Sequence, residues 1–219
     1  MLVIKTGMVT EQSIAQKYAA PGTLVLTGVG TTADELEKMV PEDCTALLSL
    51  GVCGGLSPQA QIGQAFIYDA VVFPNGRISA DAAWVKRLFD ATHYYERRCW
   101  SSGLQNTANT ESQRAQILAQ TGCWIIDDET IAVAEVAMRR GLRWCGLRTV
   151  SDGTQNNLPP AVLNALNPDG TDNIWEIVQS VASDPSEIPL LLQTAVNAKR
   201  SFDELDTACI QAGPKFQAL

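Results

Sequence analysis

Three acidic residues stand where an apolar, strand-like run gives way to a turn, a position from which a carboxylate can hold hydroxyl groups or move a proton. Glu11 closes Gly7-Met8-Val9-Thr10-Glu11, directly after the run 2–5. Glu129 closes Asp127-Asp128-Glu129 after the run 123–126, and Asp152 closes Arg148-Thr149-Val150-Ser151-Asp152 after the run 143–150. An ionised carboxylate accepts two hydrogen bonds side by side, which suits the vicinal hydroxyls of a ribose. A protonated one can serve as a general acid. Each residue also has a plainer use. Glu11 complements a helix dipole from the first turn, Asp127 or Asp128 caps a helix, Asp152 turns the chain, and Arg148 pairs with any acid. Three adjacent carboxylates repel one another, however, so capping explains one of them and leaves Glu129 to be explained.

Between the first and second of these acids lies Gly51-Val52-Cys53-Gly54-Gly55-Leu56. Glycines there let backbone amides approach a ligand closely, or simply make a tight turn. Neither this stretch nor Gly28-Val29-Gly30 continues as a Walker loop or a dinucleotide fingerprint, because the Lys-Ser/Thr and the third spaced glycine are missing.

The elements that must carry these residues alternate. Short apolar runs at 2–5, 23–27, 46–50, 65–73, 94–100, 123–126 and 143–150 are bounded by Gly, Pro and Asp, as buried strands are. Helical periodicity falls between them, at 11–18, 32–39, 81–91, 112–120 and 129–140, and the tail reads helical at 174–181 and 188–202. Such alternation predicts an α/β fold with a mixed, mostly parallel central sheet flanked by helices, its ligands bound at the carboxyl ends of strands. Residues 101–113 read as an exposed, mobile loop. With no internal repeat or low-complexity tract, 1–219 is expected to be one domain.

Composition narrows the function. Lys plus Arg is 16 against 24 Asp plus Glu, a formal net charge of −8 that argues against nucleic acid and against charge-driven docking on anionic lipid. No secretory signal and no membrane span are expected. The six cysteines (Cys44, Cys53, Cys99, Cys123, Cys145, Cys209) contain no C-x-x-C pair, and the four that lie inside apolar runs read as small core residues of a cytoplasmic protein. The single histidine, His93, gives a zinc site or a Ser-His pair little to be built from, so no metal or redox cofactor is implied.

Taken in order, these motifs resemble the purine nucleoside phosphorylase and methylthioadenosine/S-adenosylhomocysteine nucleosidase superfamily. The likeness rests on G-x-x-x-E at 7–11, the glycine turn 50–56 followed by Ile62-Gly63, D-x-E at 127–129, and R-x-x-S-D at 148–152. Leu158-Pro159-Pro160-Ala161, Asn167-Pro168-Asp169-Gly170-Thr171 and the stretch from Pro185 to Ala198 resemble the ending of the hopanoid-associated phosphorylase group. The resemblance implies a nucleoside phosphorylase-like fold, a homodimer, and a small-molecule nucleoside substrate that is lipid-linked in the hopanoid case, adenosylhopane, from which adenine is released.

Carried over position by position, the resemblance makes Asp152 the general acid toward a purine ring nitrogen and Glu11 the group that orients a nucleophilic water. Glu129 would hold the ribose hydroxyls and Ser151 would support the base site. Arg148 and the amides around Cys53 and Gly54 would line the nucleophile pocket. The chemistry is coherent: protonating the base improves a poor leaving group, and an anionic Glu129 stabilises a ribosyl centre that becomes oxocarbenium-like. For Asp152 to hold a proton it needs apolar surroundings, which the run before it leads one to expect.

The sequence departs from the nucleosidase pattern twice. Asp128 replaces a methionine that packs on the ribose, where it would bind another hydroxyl or cap the helix. Val52 replaces a serine. Glu11 beside the nucleophile would repel phosphate, and Arg148 is the one cation near the glycine turns, so hydrolysis is expected over phosphorolysis. A nucleoside-binding protein without activity is the alternative that Val52 and Asp128 favour. Trp84, Phe89, Tyr94, Tyr95 and Trp100 are either core residues or an apolar mouth for a lipid tail.

Overall fold

Leu47 and Leu48 are neighbours in one strand yet belong to two different apolar clusters, so the sheet that holds them is covered on both faces. The computed structural model describes residues 1–102, 108–154, 167–171, 173, 179 and 182–218. Among these the chain runs β1 (Leu2–Thr6), α1 (Val9–Tyr18), β2 (Leu24–Thr27), α2 (Ala33–Met39), β3 (Ala46–Gly55), β4 (Ala65–Phe73) and β5 (Gly76–Ser79). It continues through α3 (Ala82–Thr92), β6 (Tyr95–Trp100), α4 (Glu111–Thr121), β7 (Ile125–Ile126), α5 (Thr130–Arg140), β8 (Arg143–Asp152) and α6 (Ile188–Ala212).

The sheet is mixed, as expected. Pairings β1–β2, β1–β3, β3–β8, β4–β6 and β6–β7 are parallel, while β3–β7, β4–β5 and β4–β8 are antiparallel. Because β3 bonds both β8 and β7, and β4 links β8 to β6, these five strands close into a ring. On one face Ile4, Leu48, Leu50 and Trp84 pack with Leu205 and Cys209 of α6; on the other Val3, Leu36 and Leu47 pack with Val133 and Val136 of α5.

Two local features aim the functional residues. The β3–β8 register slips between Cys53 and Gly54, so Gly54 faces Asp152 and Ser151 is the extra residue. Such a bulge re-aims the side chains beside it. At the start of α5, Asp127 Oδ1 accepts from the amides of Glu129 (3.0 Å) and Thr130 (2.7 Å), which is the capping role open to Asp127 or Asp128 in the sequence.

Several expectations need correction. The hairpin strand β5 was not expected, since Gly76-Arg77-Ile78-Ser79 is too short and polar to stand out. β3 and β8 run on to Gly55 and Asp152, carrying their functional residues inside the strand rather than after it. The stretch 101–113 is not an exposed loop throughout: Ser101 and Ala108 are buried and Glu111 already opens α4. Residues 103–107, and nearly all of the helix expected at 174–181, lie outside the described residues. The aromatic residues form no common mouth, for Trp84 is core in one cluster, Trp100 lies against another and Tyr95 is exposed. His93 is an exposed helix cap in left-handed conformation. All six cysteines are buried with free thiols. Among the described residues no helix is long and apolar enough to cross a membrane.

Candidate active site

Glu11 lies in the first turn of α1, only 1% exposed. Its Oε2 accepts from the amides of Gly7 (2.8 Å) and Met8 (2.9 Å), and its Oε1 from the amide of Val52 (2.7 Å). It therefore does what a helix-start carboxylate does, and it also bridges the ends of β1 and β3. Burial pushes its pKa above the ordinary glutamate value, against the opposing influence of Arg148 and of the Met8 and Val52 amides. Two glycines make room for it. A Cβ at Gly51 would stand 2.8 Å from Glu11 Oε2 and closer still to Oε1, and one at Gly7 would stand 3.4 Å from Oε2.

The same Gly7 Cβ position lies 3.1 Å from Glu129 Oε1, so Glu11 and Glu129 converge on one glycine although 118 residues apart in numbering. Glu129 is held by Arg148, whose Nη1 lies 3.0 Å from Oε2. Arg148 also donates to the Val52 carbonyl (2.8 Å) and twice to Ser49 Oγ, and its Nε lies 3.5 Å from Asp127 Oδ2. Burial works against its charge, but Asp127, Glu129 and Glu11 outweigh it and raise its pKa well above the ordinary value. The expectation that something beyond capping holds Glu129 is met by this guanidinium.

Lys5 is a further cation that the sequence reading missed, inside an apolar strand. Its buried Nζ donates to the carbonyls of Thr6 (2.7 Å) and Gly28 (2.6 Å), and burial lowers its pKa to about 8. The segment 167–171 closes against the same place: Val9 N donates to Gly170 O (3.0 Å) and Val29 N to Pro168 O (3.0 Å).

Asp152 requires a correction. Apolar surroundings were expected, but its Oδ2 is in ion-pair contact with Nη2 of Arg114, a buried side chain of α4. Its Oδ1 accepts from Ser151 Oγ (2.9 Å), which also donates to the Cys53 carbonyl (3.3 Å). Gly54 supplies space here, since a Cβ would lie 3.2 Å from Asp152 Oδ2. The Cys53 side chain is packed in an apolar cluster with Phe66 and Val150, where burial pushes its thiol far above the ordinary range, so Cys53 contributes backbone and no nucleophile. The β3 amide that serves Glu11 is that of Val52.

Asp128 lines a cavity of about 350 Å³ with Thr31, Thr32, Phe73, Asn75, Ile131 and Glu135, between α2, α5 and the β4–β5 turn. Arg114 was invisible in the sequence because α4 reads polar; the one signal was its spacing of three from Ile117, the other buried residue of that helix.

The mixed α/β sheet flanked by helices is the fold of solved nucleosidases. A methylthioadenosine/S-adenosylhomocysteine nucleosidase from Colwellia psychrerythraea, solved with adenine, is 11% identical with a TM-score of 0.63, covering 98% of this chain and 96% of that one. A Helicobacter pylori nucleosidase of the same name, bound to butyl-thio-DADMe-Immucillin-A, is 12% identical (TM-score 0.61; 94% and 96% covered). A mutant of futalosine hydrolase from Helicobacter pylori is 13% identical (TM-score 0.61; 95% and 97% covered). No curated protein matches the sequence. The family model of the Phosphorylase superfamily matches residues 14–167, and the chain belongs to that superfamily.

Proposed function

We propose that this protein hydrolyses the N-glycosidic bond of a purine nucleoside. The observation that carries the reading is the convergence of Glu11 and Glu129 on Gly7, which leaves two carboxylates facing one small space beside the strand ends. In the reaction, the C1′–N9 electron pair leaves with the purine as Asp152 passes a proton to a ring nitrogen; because its Arg114 ion pair favours the carboxylate, Asp152 takes that proton from solvent water during the step rather than holding it beforehand. Water oxygen bonds to C1′ and its proton passes to Glu11. The products are the free base and the sugar with its 5′-substituent unchanged, with one water consumed. Glu129, accepting from the ribose hydroxyls, stabilises the cationic centre more than the ground state, and only such a difference speeds the step.

Water is favoured over phosphate by where the cations are spent. Arg148 donates to Glu129, the Val52 carbonyl and Ser49, and Lys5 to two carbonyls, while Glu11 and Glu129 would repel a dianion. The resemblance of the ending to the hopanoid-associated group supports adenosylhopane as the nucleoside and adenine as the leaving base, in a cytoplasmic homodimer. Adenine bound to the Colwellia structure supports the same base. The test is release of adenine from adenosylhopane and from 5′-methylthioadenosine, with and without phosphate. Release from either without phosphate is expected. Strict phosphate dependence would replace hydrolysis by phosphorolysis, and adenine binding without turnover of either compound would make the protein a binder.

A further inference from the structure

We propose that Arg114 is a positioning residue for release of the base, acting through Asp152; the inference rests on the reading of Asp152 as the acid. Arg114 is 2% exposed and stands on the inward face of α4, where an apolar residue would be cheaper to bury. Its donors are spent in an ordered way. Nε donates to the carbonyl of Ala108 (2.8 Å) and Nη1 to those of Gly55 (3.2 Å), Asp152 (3.3 Å) and Gly153 (2.8 Å), while Nη2 contacts Asp152 Oδ2.

One guanidinium thus holds Asp152 by side chain and main chain at once, together with the strand opposite and the residue after it. The carbonyl bonds alone would pin α4 to the end of the sheet. The Nη2 contact does something else: with Ser151 on Oδ1, both carboxylate oxygens are tied and the plane of the carboxyl group is set. A planar fork fixes such a plane, which a lysine ammonium does not. Proton delivery depends on that plane, because the acid must lie in line with a ring nitrogen as the C1′–N9 bond breaks and its electron pair moves onto the base.

The prediction separates positioning from plain structural support through the leaving group. 4-Nitrophenolate departs without a proton, whereas a purine requires one. In the full-length Arg114→Gln variant, kcat for 5′-methylthioadenosine should fall ~10²-fold, the scale of general acid catalysis, while kcat for 4-nitrophenyl β-D-ribofuranoside falls less than about fivefold. KM for both should stay within a few-fold. Parallel losses on the two substrates, or unimpaired purine release, would overturn the proposal. Should Arg114→Gln fail to fold, Arg114→Lys, which keeps the charge and loses the fork, is read by the same split. Asp152→Asn distinguishes the two levels of the argument. If it keeps purine release, the acid assignment itself is wrong; if it loses purine release while Arg114→Gln keeps it, only the role of Arg114 falls.

Discussion

Arg148 holds Glu129 at 3.0 Å with the same nitrogen that donates, at 2.8 Å, to the carbonyl of Val52. The amide of Val52 in turn donates to Glu11. Two carboxylates from distant parts of the chain are therefore tied through one cation and one residue, and neither can shift without disturbing the other.

That chain predicts a large loss of stability on removing the cation. Arg148→Leu leaves Asp127, Glu129 and Glu11 buried or half-buried with their shared countercharge gone. Breaking a buried pair in this way costs about 3–5 kcal/mol, since the abandoned charge must be desolvated alone. Urea denaturation at neutral pH should show the midpoint fall with little change in slope. A loss below about 1 kcal/mol, the range of surface pairs, would mean that the network is solvated.

Glu11 makes a prediction about pH. As a base it must be ionised to receive the proton of water, and burial holds its pKa above 4.5. The acid limb of the pH–rate profile is therefore expected above the ordinary glutamate range, and Glu11→Gln should lower kcat by ~10²–10⁴-fold. Stability moves with it. The unfolded glutamate ionises first as pH rises, so the folded wild type loses ground through this residue as pH climbs past 4.5 toward the folded pKa, and Glu11→Gln escapes that loss. Rate profiles and unfolding curves of both proteins between pH 4 and 8 check both halves.

The sequence exposed much of this, and its failures have physical causes. Buried strands show as apolar runs, and glycine beside acid at a strand end shows as Gly7–Glu11. A strand read by its apolar run, however, gives no sign of its neighbours, so the antiparallel β4–β8 pairing that closes the ring was out of reach. The surroundings of Asp152 were misjudged for a similar reason. The residues before it are apolar, but its partner arrives from a helix 38 positions upstream that reads as solvent-exposed. Lys5 hid because its strand is otherwise apolar and its acceptors are backbone carbonyls, one of them on Gly28.

Gly51→Ala tests the fit of Glu11 against β3. An added methyl group would overlap the carboxylate, and at a φ of 156° it also strains β3 itself, so the position of Glu11 is disturbed both directly and through the strand beneath it. Displacement of a catalytic group by about 1 Å can cost ~10²-fold, and kcat is expected to drop on that scale. A variant with near wild-type turnover would show that Glu11 has no fixed place in the reaction.

Lys5 supplies a prediction in the alkaline range. Its folded pKa is about 8 against 10.5 for an exposed lysine, chiefly because burial penalises the charge. Below pH 8 both states carry the proton and the full penalty is felt. Between pH 8 and 10.5 the folded state has released it and the unfolded state has not, so stability attributable to Lys5 rises with pH across that window. The shift corresponds to about 3 kcal/mol. In wild type the rise is masked, because the buried thiols of Cys53, Cys99 and Cys145 have raised pKa values and act with the opposite sign once unfolded thiols ionise. Those thiols are shared by Lys5→Met, so they cancel in the difference. Denaturation of both proteins from pH 7 to 10.5 should therefore show wild type gaining on Lys5→Met by about 3 kcal/mol. A difference that stays flat would place the ammonium in solvent rather than beneath Gly28.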